Sequence, residues 1–264
     1  METILITGTT GMLGQKFVNH FLDKGLNVVA IYRNEEKFNK IYSNKSNDAK
    51  DAENANLYAN HYANLYGICA DFCNENFADE IIKKLETINI FPEYLVNVAS
   101  GCDSFKINSE GFSERKNMLG TYLVDVVAPY ELSFKLANHK NSKLKKIVNI
   151  SSMYGVVPYN PCLYNNPSTE TPIQYAVTKA AVIHLTKELA IRFADKNITV
   201  NCISYGGVEG KASDEFKEKL AKVTPLKRMM TPDETVKSLD FLISENSVYM
   251  TGHNLIVDGG RTIW

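Results

Sequence analysis

Tyr175 and Lys179 lie four residues apart in a segment whose pattern predicts a helix running to about Asp195. Side chains at positions i and i+4 share one face of a helix, so the phenol and the ammonium would point the same way. An unperturbed tyrosine has a pKa near ~10, and a nearby cation lowers that pKa because it favours the phenolate. A fall of about 3 units, worth ~4 kcal/mol, would bring the phenol towards working pH, where a general acid or base is most effective.

Ser152 is a candidate partner for this pair. It follows the strand predicted at 145–150, at the carboxyl end, where open α/β sheets bind their ligands. From that position its hydroxyl could hydrogen-bond a substrate carbonyl or alcohol. Taken singly, each residue has an ordinary structural explanation, as a helix N-terminal tyrosine, a surface lysine and a strand-end serine. Their order along the chain, together with a glycine-rich segment near the N-terminus, is more specific.

That glycine-rich segment, TGTTGMLG at 7–14, joins the first predicted strand to a helix predicted from about Met12 to Lys24. Glycines let the backbone turn tightly and approach a pyrophosphate, and the helix N-terminus supplies free N–H groups and a favourable dipole. The arrangement predicts a dinucleotide site. The alternative is a glycine-rich turn that binds no ligand.

The end of the second predicted strand bears on which dinucleotide would bind. NAD-preferring sites place an acid there for the ribose 2′-OH, whereas an arginine accommodates the 2′-phosphate of NADP. Here Arg33 and Asn34 follow the strand, with no acid before Glu35, so NADP(H) is favoured over NAD(H). Arg33 could also be an ordinary surface residue, and Tyr32 could stack on an adenine without any phosphate preference. Asp71, after the third strand, is a candidate for the adenine amino group or for a helix N-cap.

The elements that would position these residues alternate between short apolar runs and longer helical patterns, which is typical of a parallel sheet. A chain of 264 residues suits either a (β/α)8 barrel or an open doubly wound sheet. The glycine-rich segment after the first strand favours the open sheet. Seven strands are expected, at residues 3–7, 27–32, 65–70, 94–97, 145–150, 198–203 and 254–257.

Two stretches add to this framework within a single domain spanning 1–264. Residues 34–64 are unusually polar, and a helix over 35–42 followed by a surface excursion is predicted there. Residues 156–173 are rich in proline, so we predict an extended loop without regular structure. Long loops in compact domains are often functional, and this one lies next to the reacting residues.

Composition excludes several classes of protein. A formal net charge of −1 argues against nucleic-acid binding through bulk positive charge. No apolar run approaches the roughly 20 residues that span a bilayer, and no basic region typical of a signal peptide opens the chain. The five cysteines include no CxxC pair, which suits a cytoplasmic protein, and the five histidines are scattered, so no catalytic metal is expected.

Over nearly its whole length the chain resembles the short-chain dehydrogenase/reductase family. The resemblance implies a single-domain Rossmann fold, a doubly wound seven-stranded parallel sheet with helices on both faces. It also implies hydride transfer between NAD(P)H and a carbonyl or alcohol. The matching segments are TGTTGMLG, Asp71, LVNVAS at 95–100, VNISS at 148–152, YAVTK at 175–179, VNCISYGGV at 200–208 and the stretch from Thr251 to Gly260.

By this resemblance Tyr175 is the general acid/base, Lys179 holds the nicotinamide ribose and lowers the tyrosine pKa, and Ser152 positions the substrate oxygen. Family members usually form dimers or tetramers through helices that here would span about 117–138 and 174–195, so a homodimer or homotetramer is expected. The cofactor-binding residues implied are Gly8, Thr10, Met12, Leu13, Gly14, Arg33, Asp71, Phe72, Asn97, Ala99, Ser100, Tyr175, Lys179, Tyr205, Gly206 and Val208.

Some positions depart from the family pattern. The helix asparagine that supports a water-linked proton relay in the family is matched by Asp125, which joins the catalytic candidates. A backbone carbonyl could still hold the water, so we expect activity to survive. Ser100 and Tyr205 also stand where the family usually has other residues, and the gap between Ser152 and Tyr175 is longer than usual.

The C-terminal half is similar to bacterial reductases of surface-glycan and flagellin-modification clusters, which act on sugar-type substrates. One alternative is a 3-oxoacyl-thioester (acyl carrier protein) reductase, although no basic cluster is distinctive here. Another is a cofactor-binding sensor without turnover, against which the retention of Ser152, Tyr175 and Lys179 argues. The loop residues that would suit a hydroxyl-rich substrate, and would equally suit a solvated loop, are Tyr159, Asn160, Tyr164, Asn165, Asn166 and Ser168.

Overall fold

The computed structural model describes residues 1–42, 63–210 and 212–264, and it contains one sheet of seven parallel strands. The strands are β1 (Thr3–Thr7), β2 (Asn27–Tyr32), β3 (Leu65–Cys69), β4 (Tyr94–Asn97), β5 (Lys146–Ser152), β6 (Thr199–Tyr205) and β7 (Asn254–Val257). Their order in the sheet is β3-β2-β1-β4-β5-β6-β7. The predicted open, doubly wound sheet is therefore confirmed, and the barrel is excluded.

Helices cover both faces of this sheet. The helices are α1 (Met12–Asp23), α2 (Glu35–Tyr42), α3 (Phe77–Ile88), α4 (Arg115–Tyr122), α5 (Ala128–Asn138), α6 (Pro167–Glu170), α7 (Ile173–Arg192), α8 (Asp214–Lys222) and α9 (Pro232–Ile243). One core joins the sheet to α1, α2 and α9, and a second core joins the opposite face to α3, α5 and α7. A π-helical turn, Leu123–Val127, connects α4 to α5. In the described part of the chain, no helix is both long enough and apolar enough to cross a membrane.

The central strands are buried because both of their faces are covered. All five residues of β1 are buried. Successive side chains of a strand point to opposite faces, so Ile4 and Ile6 pack in the core that contains Phe17 of α1, while Leu5 packs in the core that contains Ile81 of α3. A short, continuous apolar run is what a strand buried on both sides requires.

The strand order reverses at β1, and this reversal places the binding crevice. β1 pairs with β2 on one side and with β4 on the other. The segments that leave the carboxyl ends of β1 and β4 therefore run to opposite faces of the sheet and leave a crevice between them. Gly8 follows β1 and Val98 follows β4, so both predicted nucleotide segments meet at this point.

The stretch at 156–173 corrects a sequence-based prediction. It is not devoid of regular structure, since it contains a 3-10 turn, Pro161–Leu163, and the short helix α6. A proline lies in the first turn of both elements, where its missing N–H costs nothing and its fixed φ favours helix initiation. The prolines therefore begin short helical turns instead of preventing them.

The bounds of the other elements lie closer to the predicted ones. The helix predicted over 35–42 is confirmed as α2, whereas residues 43–62 of the polar stretch lie outside the described residues. β5 continues two residues beyond its predicted end because β6 is also longer, and Ser152 pairs with Tyr205. Ser152 is thus the last residue of β5 and has a fixed backbone.

A chain of buried polar side chains ties β4 and β5 to α7. Asn97 donates its side-chain N–H to Asn149 Oδ1 at 2.8 Å, and Asn149 Nδ2 donates to Thr186 Oγ1 at 2.9 Å. Thr186 in turn donates to the carbonyl of Val182, one turn earlier in α7. Since buried polar groups must find partners, this chain fixes the position of α7 on the sheet.

We expect Asn149→Ala to lower the free energy of unfolding by about 2–4 kcal/mol, because it removes the acceptor of the buried Asn97 amide and the donor to the Thr186 hydroxyl oxygen. Urea unfolding followed by circular dichroism measures the change. Asn138→Ala is the matched control, since the exposed Asn138 amide donates to the carbonyl of Phe134 in its own helix. Equal stability of the two variants would contradict a positioning role for the chain.

Candidate active site

The glycine-rich turn after β1 has a geometry that only glycine fits. Gly8 has φ +68°, and a Cβ on it would lie 2.7 Å from Ala99 Cα. A Cβ on Gly14 would lie 2.3 Å from the Gly8 carbonyl oxygen. The first turn of α1 contains no acid, and no side chain caps it at Gly11. Its free N–H groups therefore face the crevice and suit a phosphate.

A cleft of about 410 Å³ runs along this turn. Ten of the predicted cofactor residues line it: Gly8, Thr10, Met12, Leu13, Gly14, Arg33, Asp71, Phe72, Ala99 and Ser100. The cleft has room for an extended ligand, and a Cβ would fill the cradle at Gly8 and Gly14. These observations fit a dinucleotide. In the described chain, no group of three or more His, Cys, Asp or Glu side chains is placed to hold a metal ion.

Asp103 is a lining residue that the sequence analysis missed. It lies in the 3-10 turn Cys102–Ser104 beyond β4, and its carboxylate forms an ion pair with Arg33 across the cleft mouth. The hydrogen bond that Arg33 donates to Asp103 raises the pKa of Arg33 against the opposing effect of burial. The signal that could have found Asp103 is its position shortly after a strand whose carboxyl end borders the crevice.

Tyr32 borders this end of the cleft, but its ring is almost wholly buried. It is 3% exposed, and its ring stacks on Phe38 with centroids 4.0 Å apart. Asp71 accepts a hydrogen bond from the backbone N–H of Cys73, so it closes a turn and does not cap α3. Phe72 packs on Phe77 while it lines the cleft.

The side chains of two predicted cofactor residues point away from the cleft. Tyr205 is buried beneath α9, where its hydroxyl donates to the carbonyl of Thr235 at 2.6 Å. Asn97 is committed to Asn149. The two side chains point to opposite faces of the sheet, Tyr205 towards α9 and Asn97 towards the face that carries α7, which the linear sequence did not show. Only their backbones therefore remain for a ligand.

The segment after β6 closes over the glycine-rich turn. The Gly206 N–H donates to the Val257 carbonyl at 2.9 Å, and Val208 forms an isolated bridge to Met230. A Cβ on Gly210 would lie 2.7 Å from Met12 Sδ. Gly206 and Val208, predicted to bind the cofactor, do not line the 410 Å³ cleft, and this segment meets the glycine-rich turn at Gly210 instead.

The reacting end of the site is built where β5 meets the start of α7. Ser152 ends β5, and Tyr175 lies in the first turn of α7. Lys179 Nζ lies 5.6 Å from the centroid of the Tyr175 ring and donates to the carbonyl of Ile150 at 3.2 Å. A Cβ on Gly155 would lie 2.6 Å from the Lys179 carbonyl carbon, so the turn after β5 packs directly against α7. The structure therefore brings Ser152, Tyr175 and Lys179 into one region.

Asp125 lies in the π-helical turn between α4 and α5, and its carboxylate is fully buried. One oxygen accepts the backbone N–H of Gly101 at 2.7 Å. The other lies 3.3 Å from Lys179 Nζ and accepts the hydroxyls of Ser100 and Thr178 at 3.2 Å each. The carboxylate thus contacts Lys179 directly, with no water needed between the two groups.

This contact sets the charge of Lys179. Burial disfavours the ammonium, but the charge of Asp125 together with Tyr175 outweighs burial and raises the pKa of Lys179 above 10.5. A π-helical turn shifts the side chains that follow it around the helix axis, and such turns occur frequently at functional sites. Here it turns Asp125 inward.

Aromatic side chains form one wall beside Tyr175. Phe105 meets the Tyr175 ring edge to face at 5.1 Å. From the stretch at 156–173, Tyr159 stacks on Tyr154 at 4.1 Å, and the Tyr154 and Tyr164 hydroxyls are 2.7 Å apart. Burial raises the pKa of all three of these loop tyrosines, so they remain neutral hydrogen-bonding groups. Asn165 lies at the edge of the wall, held by Lys219 of α8.

Comparison with known proteins agrees with this geometry. A family model described as enoyl-(acyl carrier protein) reductase matches residues 9–262. D-arabinitol 2-dehydrogenase (ribulose-forming) of Scheffersomyces stipitis is 30% identical, over 98% of this chain and 93% of that protein. The 3-oxoacyl-(acyl-carrier-protein) reductase FabG of Aquifex aeolicus is 28% identical, over 97% of this chain and 95% of that protein.

A solved structure is also similar to this chain over nearly its whole length. A short chain dehydrogenase from Leptospira borgpetersenii with bound NAD+ superposes with a TM-score of 0.80 and 31% identity, covering 99% of this chain and 93% of that one. The match extends across the whole fold, including the crevice and the start of α7. The chain therefore belongs to the short-chain dehydrogenase/reductase family and is an NAD(P)-dependent oxidoreductase of alcohol and carbonyl groups.

Proposed function

We propose that this oxidoreductase transfers hydride between a nicotinamide cofactor, NADP(H) in preference to NAD(H), and a carbonyl or alcohol carbon of a sugar or sugar derivative. The observation that carries the proposal is the position of Tyr175 and buried Lys179 beside a wall of hydrogen-bonding tyrosines. The similarity of the C-terminal half to glycan-modifying reductases supports a role in bacterial surface-glycan biosynthesis. The odd number of cysteines without a CxxC pair supports a cytoplasmic enzyme.

In this mechanism the protein supplies the proton and the orientation. When bound, the nicotinamide donates or accepts the hydride. During reduction the Tyr175 hydroxyl gives its proton to the substrate oxygen while the carbonyl carbon gains the hydride; oxidation reverses both transfers. The Ser152 hydroxyl hydrogen-bonds the same oxygen, and Lys179 holds the cofactor ribose with its charge next to the phenol.

Asp125 acts through Lys179 in this proposal. Its direct ion pair keeps the buried ammonium charged and holds it against the end of β5. The family's asparagine would leave Lys179 without a counter-charge, so here a carboxylate takes over the positioning task. Asp125 is a positioning residue, because its contacts are with Lys179, Ser100, Gly101 and Thr178.

The preference for NADP(H) rests on Arg33. Its ion pair with Asp103 is exposed on both sides and so contributes only about 0–1 kcal/mol. A ribose 2′-phosphate offers a bidentate, doubly charged partner and would replace Asp103 at little cost. Asp103 would then limit NADP(H) affinity without abolishing it.

A second candidate is reduction of a 3-oxoacyl thioester, which the similarity to the Aquifex protein supports. That substrate would enter on a phosphopantetheine arm, usually guided by basic surface residues. Turnover of acyl-thioester substrates in preference to every sugar would favour this candidate.

We also propose that the enzyme is a homodimer or homotetramer. Large apolar side chains are exposed along α4, the π-helical turn, α5 and α7, which correspond to the helices expected to form the interface. They are Leu119, Tyr122, Leu123, Tyr130, Ile173, Val177 and Ile191. Burial of such a surface against a second copy would remove it from water.

Tyr175→Phe is expected to reduce kcat by about 10²–10⁴-fold with any alcohol or ketone that the wild type turns over, because the proton donor is lost. Stopped-flow measurement of NAD(P)H absorbance gives the rate, and fluorescence titration should show unchanged cofactor binding. Tyr249→Phe, at a fully exposed tyrosine, is the control. Unchanged turnover in Tyr175→Phe would exclude this role, and absence of any turnover in the wild type would favour the sensor.

Arg33→Ala is expected to weaken the binding of NADPH about 10- to 100-fold and the binding of NADH much less, because only NADPH offers the 2′-phosphate. Asp103→Asn should strengthen the binding of NADPH slightly, because it removes the carboxylate that pairs with Arg33. Fluorescence titration of the wild type and the two variants with both reduced cofactors measures the six dissociation constants. An equal loss for the two cofactors in Arg33→Ala would remove the phosphate argument.

Asp125→Asn is expected to lower the free energy of unfolding at pH 7 by about 3–5 kcal/mol, because it leaves a buried ammonium unpaired. In the wild type the raised pKa of Lys179 contributes stability that is present below pH 10.5 and lost above it. In the variant the folded protein releases this proton first, so the deficit should shrink as the pH rises from 7 towards 10.5. Urea unfolding across this range tests the sign, and a deficit independent of pH would contradict it.

A further inference from the structure

Phe105 differs from the three tyrosines of the aromatic wall because its ring carries no polar group. This ring meets that of Tyr175 edge to face, with centroids 5.1 Å apart and an interplanar angle of 73°. Phe105 follows Ser104, which still lines the 410 Å³ cleft. The residue is half-buried, so it keeps accessible apolar surface next to the phenol that transfers the proton in the proposed function.

Two hydrogen bonds fix the backbone on either side of Phe105. Gln174 is fully buried, and its Nε2 donates to the carbonyl of Ser104 at 2.7 Å and to that of Lys106 at 3.2 Å. Only an N–H group can pair with two carbonyl oxygens, so these acceptors set the orientation of the amide. The amide oxygen has no hydrogen-bond partner in the part of the chain that the structure describes. Because Gln174 precedes Tyr175 in the first turn of α7, its amide ties the position of Phe105 to that of the reacting tyrosine.

The rest of the segment at 105–112 is held against two further helices. Asn117 of α4 donates from Nδ2 to the carbonyl of Lys106 at 3.1 Å. A Cβ on Gly111, which has φ +82°, would lie 2.5 Å from the carbonyl oxygen of Ser168 in α6. The segment therefore contacts α4, α6 and α7. The aromatic ring that it presents to the phenol is preorganised, so little entropy is lost in ordering it when a ligand binds.

From these contacts we infer that Phe105 is a specificity-determining residue that packs against a face of C–H groups on the substrate, and that Gln174 is the positioning residue that holds it. A substrate whose oxygen bonds to Tyr175 places its neighbouring carbons beside the ring that contacts the same phenol. Burial of C–H groups on this ring is favourable. A hydroxyl placed there would lose its water and gain no hydrogen bond in return.

The inference rests on the proposed function and narrows its substrate class to cyclic sugars and cyclic sugar derivatives. A sugar ring carries C–H groups on its faces and hydroxyls around its rim. Phe105 would cover such a face, while the tyrosines of the wall offer hydroxyls to the rim. An open-chain polyol presents a comparable face only after several of its bonds have been fixed, which costs conformational entropy.

The first test measures ligand binding and needs no turnover. Isothermal titration calorimetry of the enzyme saturated with reduced cofactor uses myo-inositol and glucitol, which carry the same number of hydroxyls on a ring and on an open chain. The wild type should bind inositol more tightly than glucitol. Phe105→Ala should weaken inositol binding about 5- to 30-fold and glucitol binding much less, because only the ring presents a rigid C–H face.

Two further variants control this comparison. Phe105→Tyr keeps the aromatic ring and should restore most of the affinity for inositol. Phe112→Ala removes an aromatic ring from the same segment, at a residue that is 63% exposed, and should leave both affinities unchanged. Equal weakening of the two probes in Phe105→Ala, tighter binding of glucitol by the wild type, or binding of neither probe would overturn the inference.

Gln174→Met tests the positioning role, because it keeps the volume of the side chain and removes both hydrogen bonds to the segment. It should weaken inositol binding in the wild-type background and add nothing in the Phe105→Ala background, since both residues act through one ring. If this variant does not fold, Gln174→Asn, whose amide is one methylene shorter, gives the same comparison. Additive losses, or a lower urea midpoint with an unchanged ratio of the two affinities, would show a merely structural role.

The second test measures turnover with the oxidised cofactors, and compares inositol and glucose with glucitol. Phe105→Ala should lower kcat/KM for the preferred cyclic substrate about 5- to 30-fold relative to glucitol, chiefly through KM, because the contact is made in the ground state as well as in the transition state. Preferred turnover of glucitol without dependence on Phe105 would leave the proposed function standing and overturn the inference. Binding of inositol that depends on Phe105, without turnover of any sugar, would instead contradict the proposed function.

Discussion

The buried ammonium of Lys179 is the constraint around which the reacting end of this protein is arranged. A charge at that depth needs an opposite charge and hydrogen-bond acceptors, and the fold supplies Asp125 and the carbonyl of Ile150. Meeting this need joins three elements: the end of β5, the start of α7 and the π-helical turn before α5. The same carboxylate holds Ser100 and Gly101, which border the nucleotide crevice. One buried carboxylate therefore joins the reacting end to the nucleotide crevice.

The charges along the cleft differ in how firmly they are held. At the adenosine end, Arg33 and Asp103 are exposed, and water screens their attraction. A ligand can replace one partner there with little loss. At the reacting end, the Asp125–Lys179 pair is dry and cannot rearrange without leaving a charge unpaired. In the proposed function, cofactor choice thus depends on an exposed contact that a ligand can replace, whereas the catalytic geometry depends on a buried pair.

The similarity to both a sugar-alcohol dehydrogenase and an acyl-carrier-protein reductase reflects a common scaffold. The strand order, the glycine-rich turn and the start of α7 belong to that scaffold. In the proposed function, substrate choice depends on a segment outside it, the tyrosine-bearing stretch at 156–173.

Much of the fold was readable from local signals. β1, β2, β4 and β7 have the predicted bounds because each is a short apolar run between clear turn residues. The glycine-rich turn and the Tyr175–Lys179 spacing predicted the position of the site. The geometry of a glycine turn and of an i, i+4 pair depends on the immediate chain alone. Long-range contacts decided the rest. The direction of the Tyr205 side chain, the pairing of Asp125 with Lys179 and that of Arg33 with Asp103 depend on which distant segments meet. No local pattern encodes these contacts, because burial and pairing are properties of the packed chain.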